Sequence, residues 1–155
     1  MKAVIIMGSS KDLDYGREIA EKLSFFGIKS ELRIASAHKT PEKVLEIVRE
    51  NDGDVVFITI AGRSNALSGF VDANTTKPVI ATPPISEKFA GMDILSSLNM
   101  PSGVSPMVVL YAENAALAAA KILAVKYREI EARIREYQMQ KKREIEEADR
   151  RVKNG

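Results

Sequence analysis

The chain has 155 residues, 28% charged and 45% hydrophobic, which suits one globular domain that buries about two thirds of its unfolded surface without cross-links. With no cysteine and one histidine, it has no disulfide framework, thiolate chemistry, cysteine-ligated cluster or histidine-rich metal site. The net charge of +2 is too small to imply a nucleic-acid or membrane-surface partner, and no apolar run approaches the roughly 18 residues of a membrane span. No signal-peptide pattern precedes the first apolar run, so the expected compartment is the cytoplasm.

KAVIIM (2–7) is a short β-rich apolar run and predicts the first strand. GSSKD then leads into DLDYGREIAEKLSFFG, where Ile19, Leu23 and Phe26 fall at helical spacing and Gly27 is a fitting stop. SELRIAS reads as a strand and PEKVLEIVRE as a helix, with Pro41 at the first helical position, where its missing N–H costs nothing. DVVFITIAG has the unbroken apolar character of a strand buried on both faces. NALSGFVDANT predicts a helix, KPVIATPP a strand, MDILSSL a short helix and SPMVVLY a fifth strand. ENAALAAAKILAVKYREI, rich in alanine, predicts one strong helix.

Strands alternating with helices in this way indicate a doubly wound α/β fold, with helices on both faces of a parallel sheet. Five strands fit the flavodoxin-like order 2-1-3-4-5. That divides the chain into a flavodoxin-like domain, residues 1–125, and a C-terminal helical extension, residues 126–155. The extension is rich in both signs of charge. Ile130, Ile134 and Tyr137, then Ile145, Ala148 and Val152, form a stripe at steps of three and four. Such a stripe suits a solvated helical tail or an amphipathic helix packed on a neighbour, and packing in an oligomer is the expectation taken forward.

In the 2-1-3-4-5 order the loops after the first three strands lie side by side, at the end of the sheet where such folds bind ligands. These loops are GSSKD (Gly8–Asp12), SAHKTP (Ser36–Pro41) and AGRSNALSG (Ala61–Gly69). Each joins a strand end to a helix start and so presents free backbone N–H groups to an anion, with phosphate the commonest candidate. Ser9, Ser10 and Asp12 fit ordinary N-caps equally well, and Ser36 and Thr40 share that ambiguity. Lys39 suits a solvated surface charge or a point charge on a bound anion. In the third loop, Gly62 and Gly69 serve either a tight turn or close approach of backbone to a ligand, with Ser64 and Asn65 as hydrogen-bond donors.

His38 differs in kind. Histidine is the one side-chain type whose ordinary pKa, about 6.5, falls near neutrality, and this is the only one in the chain. A lone loop histidine is more often incidental than catalytic, and its place after the second strand, among small residues and a lysine, raises the catalytic reading.

The set GSSKD, FGI, SAHKTP, AGRSNALSGF, SLNMPSG and ENAAL, in this order and spacing, resembles the aminoimidazole ribonucleotide carboxylase family of purine biosynthesis, with the match running from Val4 to about Ala124. The family has two branches on one fold. One carboxylates aminoimidazole ribonucleotide directly with carbon dioxide, giving carboxyaminoimidazole ribonucleotide. The other is a mutase that moves a carboxylate from the exocyclic nitrogen of N5-carboxyaminoimidazole ribonucleotide to the ring carbon. Mutases usually read SAHRTP and AGxAAHLPG, whereas this chain has SAHKTP and Ala66 where the second histidine aligns. Those departures resemble the carbon dioxide-dependent branch.

The resemblance implies that Ser9, Asp12, Ser36, Lys39, Gly62 and Ser64 bind the ribonucleotide, that His38 transfers the proton, and that no cofactor or metal takes part. It also implies a homo-octamer in which Met100–Gly103 reaches a neighbouring subunit's site. Other users of the fold fit less well. A phosphate-accepting receiver domain needs an aspartate at the end of the third strand, where FITIAG has Ala61 and Gly62, and a flavin carrier is a likeness of fold alone, in a chain without tryptophan.

Overall fold

The computed structural model describes residues 1–154, without the side chain of residue 88. Strands β1 (Lys2–Met7), β2 (Lys29–Ile34), β3 (Val55–Ile60), β4 (Val79–Ala81) and β5 (Met107–Val108) form one parallel sheet in the order β2-β1-β3-β4-β5. Helices α1 (Leu13–Phe25), α2 (Pro41–Arg49), α3 (Ala66–Asp72), α4 (Leu95–Leu98), α5 (Ala112–Ala124) and α6 (Arg128–Asn154) complete the chain. This is the flavodoxin-like arrangement the alternation of elements predicts.

The period of two along each strand divides the core. Ala3, Ile5 and Met7 of β1, with Val56, Ile58 and Ile60 of β3, face α1, α5 and α6. Val4 and Ile6, with Val55 and Phe57, face α2 and α3. All six residues of β3 are buried, because both of its faces are covered, and this is why its run lacks alternation. Burial of one such side chain contributes about 1.5–3 kcal/mol, so the central strands carry much of the stability. On α2, Val44, Ile47 and Val48 form the buried face, and Pro41 opens the helix as expected.

Element boundaries depart from the sequence expectations in three places. β4 and β5 keep only three and two ladder residues, since the proline-rich loops around them leave the sheet early. The short helix before β5 follows a left-handed kink at Phe89, Ala90 and Gly91 and becomes α-helical only at Leu95–Leu98. The alanine-rich helix expected to run through Ile130 stops at Ala124, and α6 begins at Arg128. The turn between them is pinned by Asp54, which accepts from Lys126 Nζ at 2.6 Å and from the Tyr127 hydroxyl.

The break folds α6 back over the domain. Ile130 and Ile134 are buried in the same core as β1 and β3, so these turns pack on their own chain. Tyr137 makes edge contacts with Phe25 and Phe26 at 5.8 and 5.5 Å, and its hydroxyl donates to Glu113. Arg133 donates to the Phe25 carbonyl at 2.9 Å. Beyond this clasp the helix is exposed, including Met139, Ile145 and Val152. Among the described residues no helix is long and apolar enough to cross a membrane.

Ile130→Ala is expected to lower the unfolding free energy by about 2–5 kcal/mol, as for other buried isoleucines, while Glu136→Ala on the exposed side stays within about 0.5 kcal/mol. Urea denaturation followed by circular dichroism measures both; equal, small effects would show that α6 is no part of the core.

Candidate active site

Register sets where the loops emerge. Met7 of β1 pairs with Ile34 of β2 and with Ile60 of β3, so the three strands end level. Gly8 N–H donates to the Ile60 carbonyl and Ala35 N–H to the Met7 carbonyl, both at 2.9 Å, before the chains part. Beyond lies a cleft of about 630 Å³. Ser9, Asp12, Ser36, His38, Lys39, Gly62 and Ser64 all line it.

Ser9 caps the 3-10 turn Ser10–Asp12, its hydroxyl accepting from Lys11 N–H at 3.2 Å; its own hydrogen is left to donate. Asp12 stands at the N-cap of α1 yet makes no capping bond with its side chain. Burial raises its carboxyl pKa above the ordinary range, partly offset by the backbone N–H of Ser9. A carboxylate of this kind sits in the cleft without the helix-capping role the sequence allowed it.

His38 is exposed at the tip of a turn that is fastened on both sides. Thr40 N–H donates to the Ser36 carbonyl at 2.8 Å, and Ser36 N–H donates to the Thr40 hydroxyl at 3.0 Å. Thr40 is thereby consumed in shaping the turn, and Pro41 fixes the exit into α2. The imidazole is held on a short, closed loop rather than a flexible one.

The cleft holds Lys11, Lys39 and Arg63 beside the carboxylates of Asp12 and Asp93. Lys2, Arg33, Lys43 and Lys126 elsewhere all pair with carboxylates at 2.6–3.0 Å. Among the described residues Lys11, Lys39 and Arg63, which line the cleft, make no ion pair. Three cations left without protein partners beside the starts of α1 and α2 suit a multiply charged anion. Among the described residues no three carboxylate or histidine side chains gather as metal ligands would.

The third loop brings Gly62 and Ser64 to the cleft wall. Gly62 packs beside Pro84, where an added Cβ would lie at van der Waals contact, 3.4 Å from the ring. Arg63 has φ +60°, a left-handed conformation costing a non-glycine residue about 1–2 kcal/mol. Asn65, read from the sequence as a ligand donor, is buried and spent on structure. Its side-chain oxygen accepts from Ser68 N–H at 3.1 Å as the cap of α3, and its amide donates to Ser97 at 2.8 Å. Ser68 continues the chain to Thr59 at 2.8 Å.

Sequence reasoning gave no role to Lys11, Arg63 and Asp93, which line the cleft together with Pro84, Ile85 and Ser86. Lys11 and Arg63 lie inside motifs that were singled out, so their charge was a usable signal. Asp93 is 30 residues from Arg63 in the chain and nothing local ties it to the site.

The family model described as AIR carboxylase matches residues 2–144. A phosphoribosylaminoimidazole carboxylase of Archaeoglobus fulgidus is 64% identical over 154 residues, covering 99% of this chain and 86% of that one. An N5-carboxyaminoimidazole ribonucleotide mutase of Methanocaldococcus jannaschii is 44% identical, covering 96% of each. The crystal structure of Treponema denticola PurE superposes with a TM-score of 0.95 at 47% identity, over 97% of this chain and 98% of that chain.

Because burial raises the Asp12 pKa, the ionised carboxyl is less favourable in the fold than in the unfolded chain, and stability falls as pH rises through that raised value. Asp12→Asn is therefore expected to unfold at higher urea than the parent at pH 7.5, with the gap closing near pH 4. A parent that is the more stable at pH 7.5 would show the carboxylate to be stabilised where it stands.

Proposed function

The chain belongs to the AIR carboxylase family, and on that premise we propose that it joins carbon dioxide to the ring carbon of aminoimidazole ribonucleotide in cytoplasmic purine biosynthesis. The observation that carries this reading is the single imidazole, His38, in one cleft with hydroxyls, a desolvated carboxylate and unpaired cations. The aminoimidazole ring is an enamine, and its nitrogen lone pairs push electron density onto the carbon that attacks carbon dioxide. A carbon–carbon bond forms there, and the carbon briefly carries both a proton and the new carboxylate. Loss of that proton restores aromaticity, and the product is carboxyaminoimidazole ribonucleotide.

His38 accepts the proton in this scheme and returns it in the decarboxylating direction. General-base help of this type is worth about two to four orders of magnitude. Ser9, Asp12, Ser36, Lys39, Gly62 and Ser64 bind the ribonucleotide. The phosphate acts as a handle on Lys39 and the helix starts, and holding both reactants in a small cleft supplies several kcal/mol more of the barrier.

The second reading, the mutase, is favoured by the 44% identity to the Methanocaldococcus jannaschii protein. Against it stand the higher identity to the Archaeoglobus fulgidus carboxylase and Ala66, the first residue of α3, whose methyl group transfers no proton. Aminoimidazole ribonucleotide with excess bicarbonate, set against N5-carboxyaminoimidazole ribonucleotide with carbon dioxide removed, separates the two; turnover of the second substrate alone would establish the mutase.

The assembly proposed is a homo-octamer, with Met100–Gly103 reaching a neighbouring site. It is supported by apolar side chains that one chain leaves in solvent, Phe89, Met92, Leu95 and Leu98 around α4 and Met139, Ile145 and Val152 on α6.

His38→Asn is expected to retain ribonucleotide affinity and lose at least a hundredfold in turnover in both directions, read by steady-state kinetics and by calorimetric binding; near-normal turnover removes His38 from the mechanism. Lys39→Ala is expected to raise KM more than it lowers kcat. Deleting residues 139–155, which leaves the α6 clasp intact, is expected to lower the assembly mass in light scattering, and an unchanged mass would free the distal helix of that role.

A further inference from the structure

The strained arginine of the third loop is held in shape from outside that loop. The Asp93 carboxylate accepts the Arg63 backbone N–H at 3.0 Å, and the Ser96 hydroxyl shares its one hydrogen between the Arg63 carbonyl at 2.9 Å and the Asp93 carbonyl at 2.8 Å. The Ser96 oxygen also accepts from Asn65 N–H at 3.0 Å, while the buried Ser97 hydroxyl accepts from the Asn65 side chain. Asp93, Ser96 and Ser97 follow the i, i+3, i+4 spacing that lines up one face of a helical segment. They present to the loop a comb of polar groups matched to consecutive backbone positions.

Glycine would adopt φ +60° freely at position 63, and the chain instead carries an arginine there with two side chains securing its backbone. Strain of this sort persists where the surroundings over-determine it, and a functional site is where such strain collects. Asp93 meets Arg63 at its peptide and forms no ion pair with its guanidinium. The planar fork of five donors, which matches phosphate and carboxylate oxygens in pairs, thus lines the cleft without an ion pair among the described residues.

We propose that Arg63 binds an oxyanion of the ribonucleotide, and that Asp93 and Ser96 are positioning residues that hold it in the left-handed conformation needed to do so. The inference rests on the ribonucleotide reading given above. It adds a substrate-binding cation and a clamp lying 30 residues further along the chain.

The test is a double-mutant cycle read by isothermal calorimetry and steady-state kinetics on the full-length protein, with aminoimidazole ribonucleotide, which carries the phosphate alone, and carboxyaminoimidazole ribonucleotide, which carries the carboxylate as well. Wild-type protein that binds neither compound would overturn the ribonucleotide reading itself. With binding established, Arg63→Gly keeps the backbone shape without the guanidinium and is expected to weaken binding about tenfold with kcat changed less than threefold. Weakening of both ligands assigns the phosphate, and weakening of the carboxylated one alone assigns the carboxylate.

Asp93→Ala is expected to weaken binding similarly, and Asp93→Asn, whose amide oxygen still accepts the Arg63 N–H, to recover most of it. The Arg63→Gly, Asp93→Ala double variant is expected to be no weaker than Arg63→Gly, since glycine needs no clamp. Ser96→Ala repeats the cycle with a smaller change should Asp93→Ala fail to fold. Unaltered affinity in Arg63→Gly, or losses that multiply in the double variant, overturns the proposal.

Discussion

The level carboxyl ends of β2, β1 and β3 are the constraint on which the site depends. Parallel pairing holds Met7 against Ile34 on one side and Ile60 on the other, so three separate turns start at one height. A slip of one residue in β1 or β3 would exchange the side chains fitted into the two cores, and the packing on both sides of the sheet opposes that. Hydrophobic burial thereby sets the spacing between polar loops that share no contact in the sequence. The cleft is a consequence of that agreement.

Within the cleft the energetics run against the fold and toward a ligand. Lys11, Lys39 and Arg63 have no carboxylate partners among the described residues, Asp12 is partly desolvated, and Arg63 sits in a conformation its side chain disfavours. Each feature costs the empty protein a little. A bound anion would offset the repulsion of the cations, and the buried Asn65–Ser68–Thr59 chain behind the loop supplies the rigidity that keeps the strain from relaxing. Stability is concentrated in the strands and spent at their ends, as expected where a site must be ready before its substrate arrives.

The C-terminal helix shows how one periodic pattern serves two environments. Its first turns close the core over α1 and α5, held by Ile130, Ile134 and the Phe25–Phe26–Tyr137 ring cluster. Its later turns carry the same apolar step in solvent. The pattern alone is identical in both halves. What separates them is the turn at Val125–Tyr127, anchored to Asp54 on the far side of the sequence, which aims the helix back across the domain and lets it run past the edge.

From the residues in order, periodicity determined the five strands, their parallel class and the helices between them, because burial on one or two faces leaves a direct imprint on which positions are apolar. Local chemistry left the loop residues from Ser9 to Ser64 divided between helix caps or tight turns and ligand contacts, and the motif resemblance singled out the binding set. Tertiary structure alone decided that Asn65 faces inward, that Asp12 is not a cap, that α5 stops at Ala124, and that Asp93 and Ser96 hold Arg63. Each of those outcomes turns on a hydrogen bond or burial between groups distant in the chain. Such pairings depend on the assembled geometry and leave no local period or spacing to read.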